Sequence, residues 1–358
     1  MAITILDVVA AAMVSKTTAS DILRGAHRPY NAQTVQRVQE IAEELGYQAS
    51  GAARLLRQNS SNIIIGIAVG VRQRPYLNSL VVAIHADCIK RGYQPAIFEP
   101  SHLLPQQGHS PFPSPDMLAG IFSADLSLDN DIPNFYARLR DRLPIVALYN
   151  IESCSIDCVA PDWATGVELA TQHLVNLGHR HIAYAHDPKS KYYTDRIRIK
   201  NWEQCIHQFN LVDTDEYQIT YCTPKLQATS GERLVNAPSA VPYFVEQVVA
   251  RLTQMQNPPS ALICTSDELA MALIAKLTEK GWKLPNDLSI VGFYGMEFGE
   301  CCYPSLTTIA QPLEKISTIA MDRLAECIEA TKQEKDIKPK RQLLIPEIHV
   351  RQSTMKAR

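Results

Sequence analysis

The first 57 residues constrain this chain more than any other stretch, because they encode three short amphipathic helices with a tight break between the first two. Thr4 precedes Ile5-Leu6-Asp7-Val8-Val9-Ala10-Ala11-Ala12, where a hydroxyl cap and an acid three residues later suit a helix start. Met13-Val14-Ser15 interrupts it, and Ser15 caps a second helix predicted over Lys16 to Leu23. Two helices joined by a three-residue turn form a helix-turn-helix, whose second helix is the one built to enter a major groove. Gly25 and Pro29 mark residues 24–30 as loop. A third helix is predicted over Ala32 to Leu45, with Val35, Val38, Ile41, Ala42 and Leu45 along one face and Gly46 ending it.

Charge neither supports nor excludes a nucleic-acid partner. The whole chain carries a formal −2. Through residue 60 the basic side chains are Lys16, Arg24, Arg28, Arg37, Arg54 and Arg57, and the acidic ones Asp7, Asp21, Glu40, Glu43 and Glu44, a surplus of one. That is little for a domain that would neutralise several phosphates. Placement helps, since Lys16, Arg24, Arg28, Arg54 and Arg57 lie in or just after the helix-turn-helix and in the stretch after Gly46, while the three glutamates sit late in the third helix.

The chain of 358 residues, 46% hydrophobic, is long enough for two or three units. No apolar run approaches the roughly 18 residues of a membrane span, and the N-terminus does not read as a secretory signal, so a cytoplasmic protein is expected. Nine cysteines lie scattered without a Cys-x-x-Cys pair, which fits a reducing compartment and buried thiols.

Beyond Ser60-Ser61 the pattern changes to alternation. Residues 62–69 form a continuous apolar run of the kind found in buried parallel strands. A helix over Leu77 to Arg91, a strand over Gln94 to Phe98, a Pro/Ser-rich loop at 100–115, a strand over Leu118 to Phe122, a helix over Ile132 to Leu143 and a strand over Ile145 to Leu148 follow. The pattern restarts at Asp162. Helices are predicted over Thr165 to Leu177, Arg196 to Phe209, Glu268 to Lys280 and part of a late segment from Met321 to Thr331, with strands over His181 to Ala185, Leu262 to Thr265 and Leu288 to Phe293. Such alternation predicts doubly wound α/β sheets.

Several phrases go beyond periodicity. They are Thr4-Ile5-x-Asp7-Val8-x-Ala10, Val14-Ser15-x-Thr17-Thr18-x-Ser20, Glu44-Leu45-Gly46-Tyr47 and Ala53-Arg54-x-Leu56 near the start, then His173-Leu174-x3-Gly178-His179-Arg180, Gly292-Phe293, Pro304-x-Leu306-Thr307-Thr308 and Arg351-Gln352-Ser353-Thr354. Together they resemble the LacI/GalR family of bacterial transcription regulators over nearly the whole chain, most weakly at 99–116 and 213–245. The resemblance implies an α/β protein: an N-terminal helix-turn-helix headpiece (1–49), a hinge helix and linker (50–61), and a periplasmic-binding-protein-like core of two doubly wound α/β subdomains. The first subdomain would span 62–160 with about 311–335, the second 161–310 with about 336–358, and crossovers would fall near 160, 310 and 335.

The same resemblance implies a homodimer on double-stranded DNA with a pseudo-palindromic operator, controlled by a small-molecule effector in the cleft between subdomains. DNA contacts would come from Thr4, Ser15, Lys16, Thr17, Thr18, Ser20, Asp21 and Arg28, and from Ala53, Arg54 and Leu56 of the hinge, Leu56 wedging into the minor groove. Asp21 stands where the family often has arginine, so it would either accept from a cytosine amino group or repel phosphate. Effector contacts would come from Arg72, Tyr149, Arg198, Ser266, Asp267 and Tyr294. Tyr294 replaces an aspartate the family uses on sugar hydroxyls, and Tyr149 or Asn150 replaces another. With Arg72, Arg74 and Arg198 nearby, a donor-rich site without those acids suits an anionic or aromatic effector better than a plain sugar.

Other chemistry finds little support. His173, His179, His181 and His186 come from a helix, a turn and opposite phases of a strand, so neither a metal nor any other cofactor is expected. No nucleophile–base set, phosphate loop or carboxylate pair marks an enzyme. The expectation is a DNA-binding repressor; the competing one is a ligand sensor of the same family with weakened or lost specific DNA binding.

Overall fold

The computed structural model describes residues 5–23, 30–45, 64–69, 75–99, 117–124, 139, 143–149, 156–188, 190, 193–221 and 241–358. The chain divides into two units, Met1–Asn62 and Ile63–Arg358. In the first, α1 (Ile5–Ala12), α2 (Lys16–Leu23) and α3 (Ala32–Glu44) bury Val8, Ala12, Ala19, Ile22, Val38 and Ala42 against one another. These fall at the three- and four-residue spacing that aligns side chains on one helix face. The break between α1 and α2 turns at Met13, in the left-handed region with φ of 51°. Ser15 closes it by accepting from the Thr18 amide at 3.1 Å, the cap expected from the sequence.

Among the described residues the second unit holds two six-stranded sheets of matching order. The first contains β1 (Ile64–Ala68), β2 (Gln94–Phe98), β3 (Leu118–Ser123), β4 (Ile145–Ala147), β5 (Asp157–Pro161) and β11 (Arg341–Leu344), arranged β2-β1-β3-β4-β5-β11. The second contains β6 (Ile182–His186), β7 (Gln218–Thr220), β8 (Ala261–Cys264), β9 (Ser289–Tyr294), β10 (Thr307–Ala310) and β12 (Glu347–His349), arranged β7-β6-β8-β9-β10-β12. Every pairing is parallel except β10 with β12. All six residues of β3 and of β9 are buried, as strands covered on both faces must be.

Helices supply that cover. In the first lobe α4 (Pro75–Lys90) and α9 (Leu313–Lys332) pack Leu80, Ile84, Ile316, Ala320 and Leu324 onto Ile65, Ile67 and Phe122. Each fully buried side chain of this size contributes about 1.5–3 kcal/mol relative to exposure. In the second, α5 (Trp163–Asn176) and α6 (Tyr193–Gln208) cover one face, and α7 (Val241–Gln254) and α8 (Asp267–Glu279) the other. Among the described residues no helix is long and apolar enough to cross a membrane.

The chain passes between lobes after β5, after β10 and after β11. The first two passages follow Pro161 and Ala310. The third departs from the expectation near 335: Arg341–Leu344 pairs with Cys158–Pro161 in the first sheet, so the crossing follows Leu344. A four-residue edge strand with two polar residues gives no apolar run to betray it. The expected helix over Ile132 to Leu143, the 100–115 loop and the hinge lie outside the described residues, but for residues 139 and 143.

Candidate functional site

All three passages leave from the carboxyl end of a strand, so the carboxyl edges of both sheets border the junction of the lobes. Open α/β sheets bind ligands at that edge, at the point where strand order reverses. In this core the reversals lie between β1 and β3 and between β6 and β8.

Arg198 stands at the second reversal. It projects inward from α6 and is 1% exposed, which demands compensation for its charge. Nη1 donates to the Thr265 carbonyl, one residue past β8, at 2.9 Å. Nη2 donates to Asp195 Oδ1 at 2.5 Å and to the Tyr294 hydroxyl at 3.2 Å. Nε is the donor left without a partner among the described residues. The guanidinium carbon also lies 5.3 Å from the Phe293 ring centre, 5.5 Å from that of Tyr294 and 6.0 Å from that of Trp163. Burial works against the charge, but Tyr294 and Asp195 outweigh it and hold the pKa above its usual value. Ser190 donates to the other oxygen of Asp195 at 2.5 Å, and Tyr221 shares a 2.5 Å hydrogen bond with the Thr265 hydroxyl.

Asp195 was missed in the sequence, although it lies three residues before Arg198 on one helix, a spacing that pairs opposite charges. Its presence changes the electrostatics. Arg198 is neutralised from within, so the donor excess that favours an anionic effector loses its main member.

Tyr294 ends β9 with φ of 103°, a left-handed conformation that a side chain seldom adopts. The strain directs its ring edge-on to Trp163, with centroids 5.2 Å apart, and brings its hydroxyl to Arg198. Gly295 follows at φ of 72°, where a Cβ would meet Ala310 at 2.5 Å. Asp267 anchors this turn. Its carboxylate is fully buried, and it accepts from the Met296 amide and the Thr308 hydroxyl, each at 2.6 Å. A Cβ on Gly292 would come within 2.2 Å of that carboxylate, so glycine is what makes room for it. Burial drives the Asp267 pKa up to about 7 against the pull of these hydrogen bonds. Both oxygens are committed to the turn, and Asp267 shapes the site from behind. Ser266 is likewise engaged as the cap of α8, accepting from the Leu269 amide at 3.2 Å. Tyr149, half-buried just past β4, lies on the facing carboxyl edge of the first sheet.

In the helix-turn-helix, Ser15, Lys16 and Thr17 are exposed at the amino end of α2, with Thr18 and Ser20 half-buried. Asp21 departs from the expectation. It is 8% exposed and accepts from the Tyr30 hydroxyl at 2.8 Å, so its carboxylate is turned to the headpiece interior. It lies beside Ile22 and two residues past Ala19, on the inner side of α2, where a carboxylate persists because the phenol satisfies it. Thr4, Arg28, Ala53, Arg54, Leu56 and Arg72 lie outside the described residues. Of the histidines weighed as metal ligands, His173 bonds Thr354, His179 bonds Ser260 and Met355, and His181 bonds Tyr217, each contact structural.

Comparison with known proteins agrees with this geometry. Residues 171–354 match the family described as periplasmic binding protein-like domain. The chain is 27% identical over 336 residues to the HTH-type transcriptional repressor PurR of Aliivibrio fischeri (strain ATCC 700601 / ES114), covering 93% of this chain and 94% of that protein. It is 26% identical over 357 residues to the protein of the same description in Vibrio campbellii, covering 99% of each. Among solved structures, the Lac repressor dimer bound to operator and the anti-inducer ONPF aligns with a TM-score of 0.73 at 21% identity, over 99% of this chain and 100% of that one. The regulator CelR in complex with cellobiose aligns with a TM-score of 0.62 at 19% identity, over 98% and 100%. These two attest the fold. With the family match spanning just over half of its length and a helix-turn-helix ahead of it, the chain belongs to the periplasmic binding protein-like family and is a transcription regulator of the LacI/GalR type.

Proposed function

We propose that this protein is a homodimeric repressor in the cytoplasm that holds an operator through α2 and the hinge and releases or tightens that hold when a small effector occupies the junction of the lobes. The observation that carries the reading is Arg198, a buried guanidinium set at the carboxyl edge of the second sheet with strands β8 and β9 both contributing to it. A purely structural arginine has no need of that edge. In this reading Tyr294 and Arg198 contact the effector from one lobe and Tyr149 and Arg72 from the other, while Asp267 and Ser266 hold the turn and the helix start that present them. With Arg198 already paired to Asp195, the preferred effector is uncharged and planar, stacking against aromatic side chains, in place of an anion.

On the DNA side we assign Lys16, Thr17 and Thr18 to base edges, Thr4, Ser15, Ser20, Arg28 and Arg54 to phosphates, and Ala53 and Leu56 to the minor groove. The burial of Asp21 supports DNA binding over the ligand-sensor alternative, because it withdraws a negative charge from the recognition face. Binding without catalysis is the reading adopted for the core. The test is selection of bound sequences from a random DNA library. Enrichment of a two-fold symmetric site supports the repressor; failure to enrich any sequence, with ligand-dependent stabilisation retained, would leave a sensor.

A further inference from the structure

Tyr193 opens α6, the helix that carries Arg198, and two guanidinium groups share its ring. Arg196, on the same helix, places its guanidinium carbon 5.6 Å from the ring centre. Arg341 places its own at 5.8 Å. Arg341 begins β11, opposite Cys158 in the first sheet. The second contact therefore passes from one lobe to the other, three residues before the last crossing.

A guanidinium is weakly hydrated and planar, so it meets an aromatic face at partly exposed positions with little loss of hydration. Another side-chain contact between the lobes, among the described residues, is Lys315 with Glu347 at 3.6 Å, with both side chains largely exposed. An exposed ion pair of that kind contributes little. The Tyr193 contact differs in leverage as well. Arg196 moves with α6, whereas Arg341 moves with the first sheet. When the lobes separate, Tyr193 keeps the first partner and loses the second. Separation would thus leave the ring with one guanidinium in place of two, a change delivered to a helix start five residues before Arg198.

We propose that Tyr193 is a positioning residue of the effector response, coupling α6 to β11 through Arg341 so that the relative setting of the lobes reaches the helix bearing Arg198. Its consequence for the effector rests on the reading of the junction given above; the coupling itself does not.

Hydrogen exchange followed by mass spectrometry on the full, ligand-free protein tests the coupling. Arg341→Met, a change in the first lobe, should speed exchange at residues 197–200 of the second lobe about two- to fivefold, the span expected of an exposed cation–aromatic contact. Tyr193→Leu should speed exchange across β11 to a similar degree, the double variant no further, and Tyr193→Phe should match the parent because the ring is kept. Acceleration confined to the mutated segment, additive effects in the double variant, or a phenylalanine variant that behaves like leucine would each overturn the proposal. Should Tyr193→Leu fail to fold, Arg341→Met decides alone. Operator affinity of the same variants separates the two layers: altered exchange with unaltered operator binding retains the coupling and removes the lobe setting as the control of DNA binding.

Discussion

Among the described residues each lobe buries one arginine–aspartate pair, and the two pairs sit at opposite ends of their sheets. In the first lobe Arg323 Nε donates to Asp157 Oδ1 at 2.6 Å, at the amino end of β5. The remaining capacity there is consumed by structure: Arg323 also bonds Glu326 and the Lys338 carbonyl, and Asp157 also accepts from the Lys340 amide and the Cys327 thiol. That knot ties α9 to the segment entering β11. In the second lobe Arg198 and Asp195 stand at the carboxyl edge, under aromatic rings, with Nε uncommitted among the described residues. The contrast teaches that burial of an ion pair does not define a site. What separates a brace from a binding group is the end of the sheet on which the pair lies and whether its neighbours exhaust its hydrogen-bonding capacity.

Substitution should divide along the same line. Arg323→Ala, which strands Asp157 in the interior, should lower unfolding stability by about 3–5 kcal/mol while leaving operator preference intact in whatever fraction folds. Urea unfolding beside sequence selection measures both. A loss below about 1 kcal/mol would place this knot at the surface and erase the distinction.

Arg198→Met keeps most of the volume and leaves Asp195 with Ser190 and partial exposure, so the loss should be smaller, about 1–3 kcal/mol. Ligand-induced stabilisation should vanish altogether. Equal ligand response in parent and variant would make Arg198 a second brace.

Asp267 sharpens the comparison through pH. Its folded pKa of about 7 lies above the roughly 3.9 of an unfolded aspartate. The folded state therefore holds the proton more tightly. Stability from this group is complete at low pH and declines as pH rises from about 4 to about 7, with a slope of at most about 1.4 kcal/mol per pH unit. Asp267→Asn can still accept from Met296 and donate to Thr308, and should flatten that decline. An unchanged slope in the asparagine variant would assign the titration elsewhere.

The smallest effect belongs to the headpiece. Tyr30→Phe should cost about 1 kcal/mol of headpiece stability by depriving Asp21 of its phenol. Asp21→Asn should leave base preference untouched. A change of preference at one base pair would return Asp21 to the DNA.

Much of this architecture was legible from pattern. The headpiece helices follow from caps and apolar spacing, and β1, β3, β6, β8 and β9 from continuous apolar runs. Strands without such runs escaped. Asp157-Cys158-Val159-Ala160-Pro161 begins with an acid and ends with proline, and Arg341–Leu344 is half polar, so β5 and β11 were unread and the last crossing misplaced. The site was legible only in its members. Arg198 and Tyr294 were picked out by resemblance, but nothing local says that Tyr294 would turn at positive φ to reach Arg198, or that Asp267 would spend itself on Met296 and Thr308. Those contacts join residues from 29 to 96 positions apart. The burial of Asp21 was not legible because a helix wheel for α2 alone lacks Tyr30, the residue that makes it tolerable.

The central claim is that occupancy beside Arg198 governs the grip on DNA. Its most direct test is the operator affinity of the parent and of Arg198→Met, measured on the selected DNA site while a library of small uncharged and anionic metabolites is screened. An uncharged planar compound is expected to shift parent affinity at least about tenfold, within the usual range of allosteric coupling, and to leave the variant unmoved. A compound that shifts both proteins alike would contradict that claim.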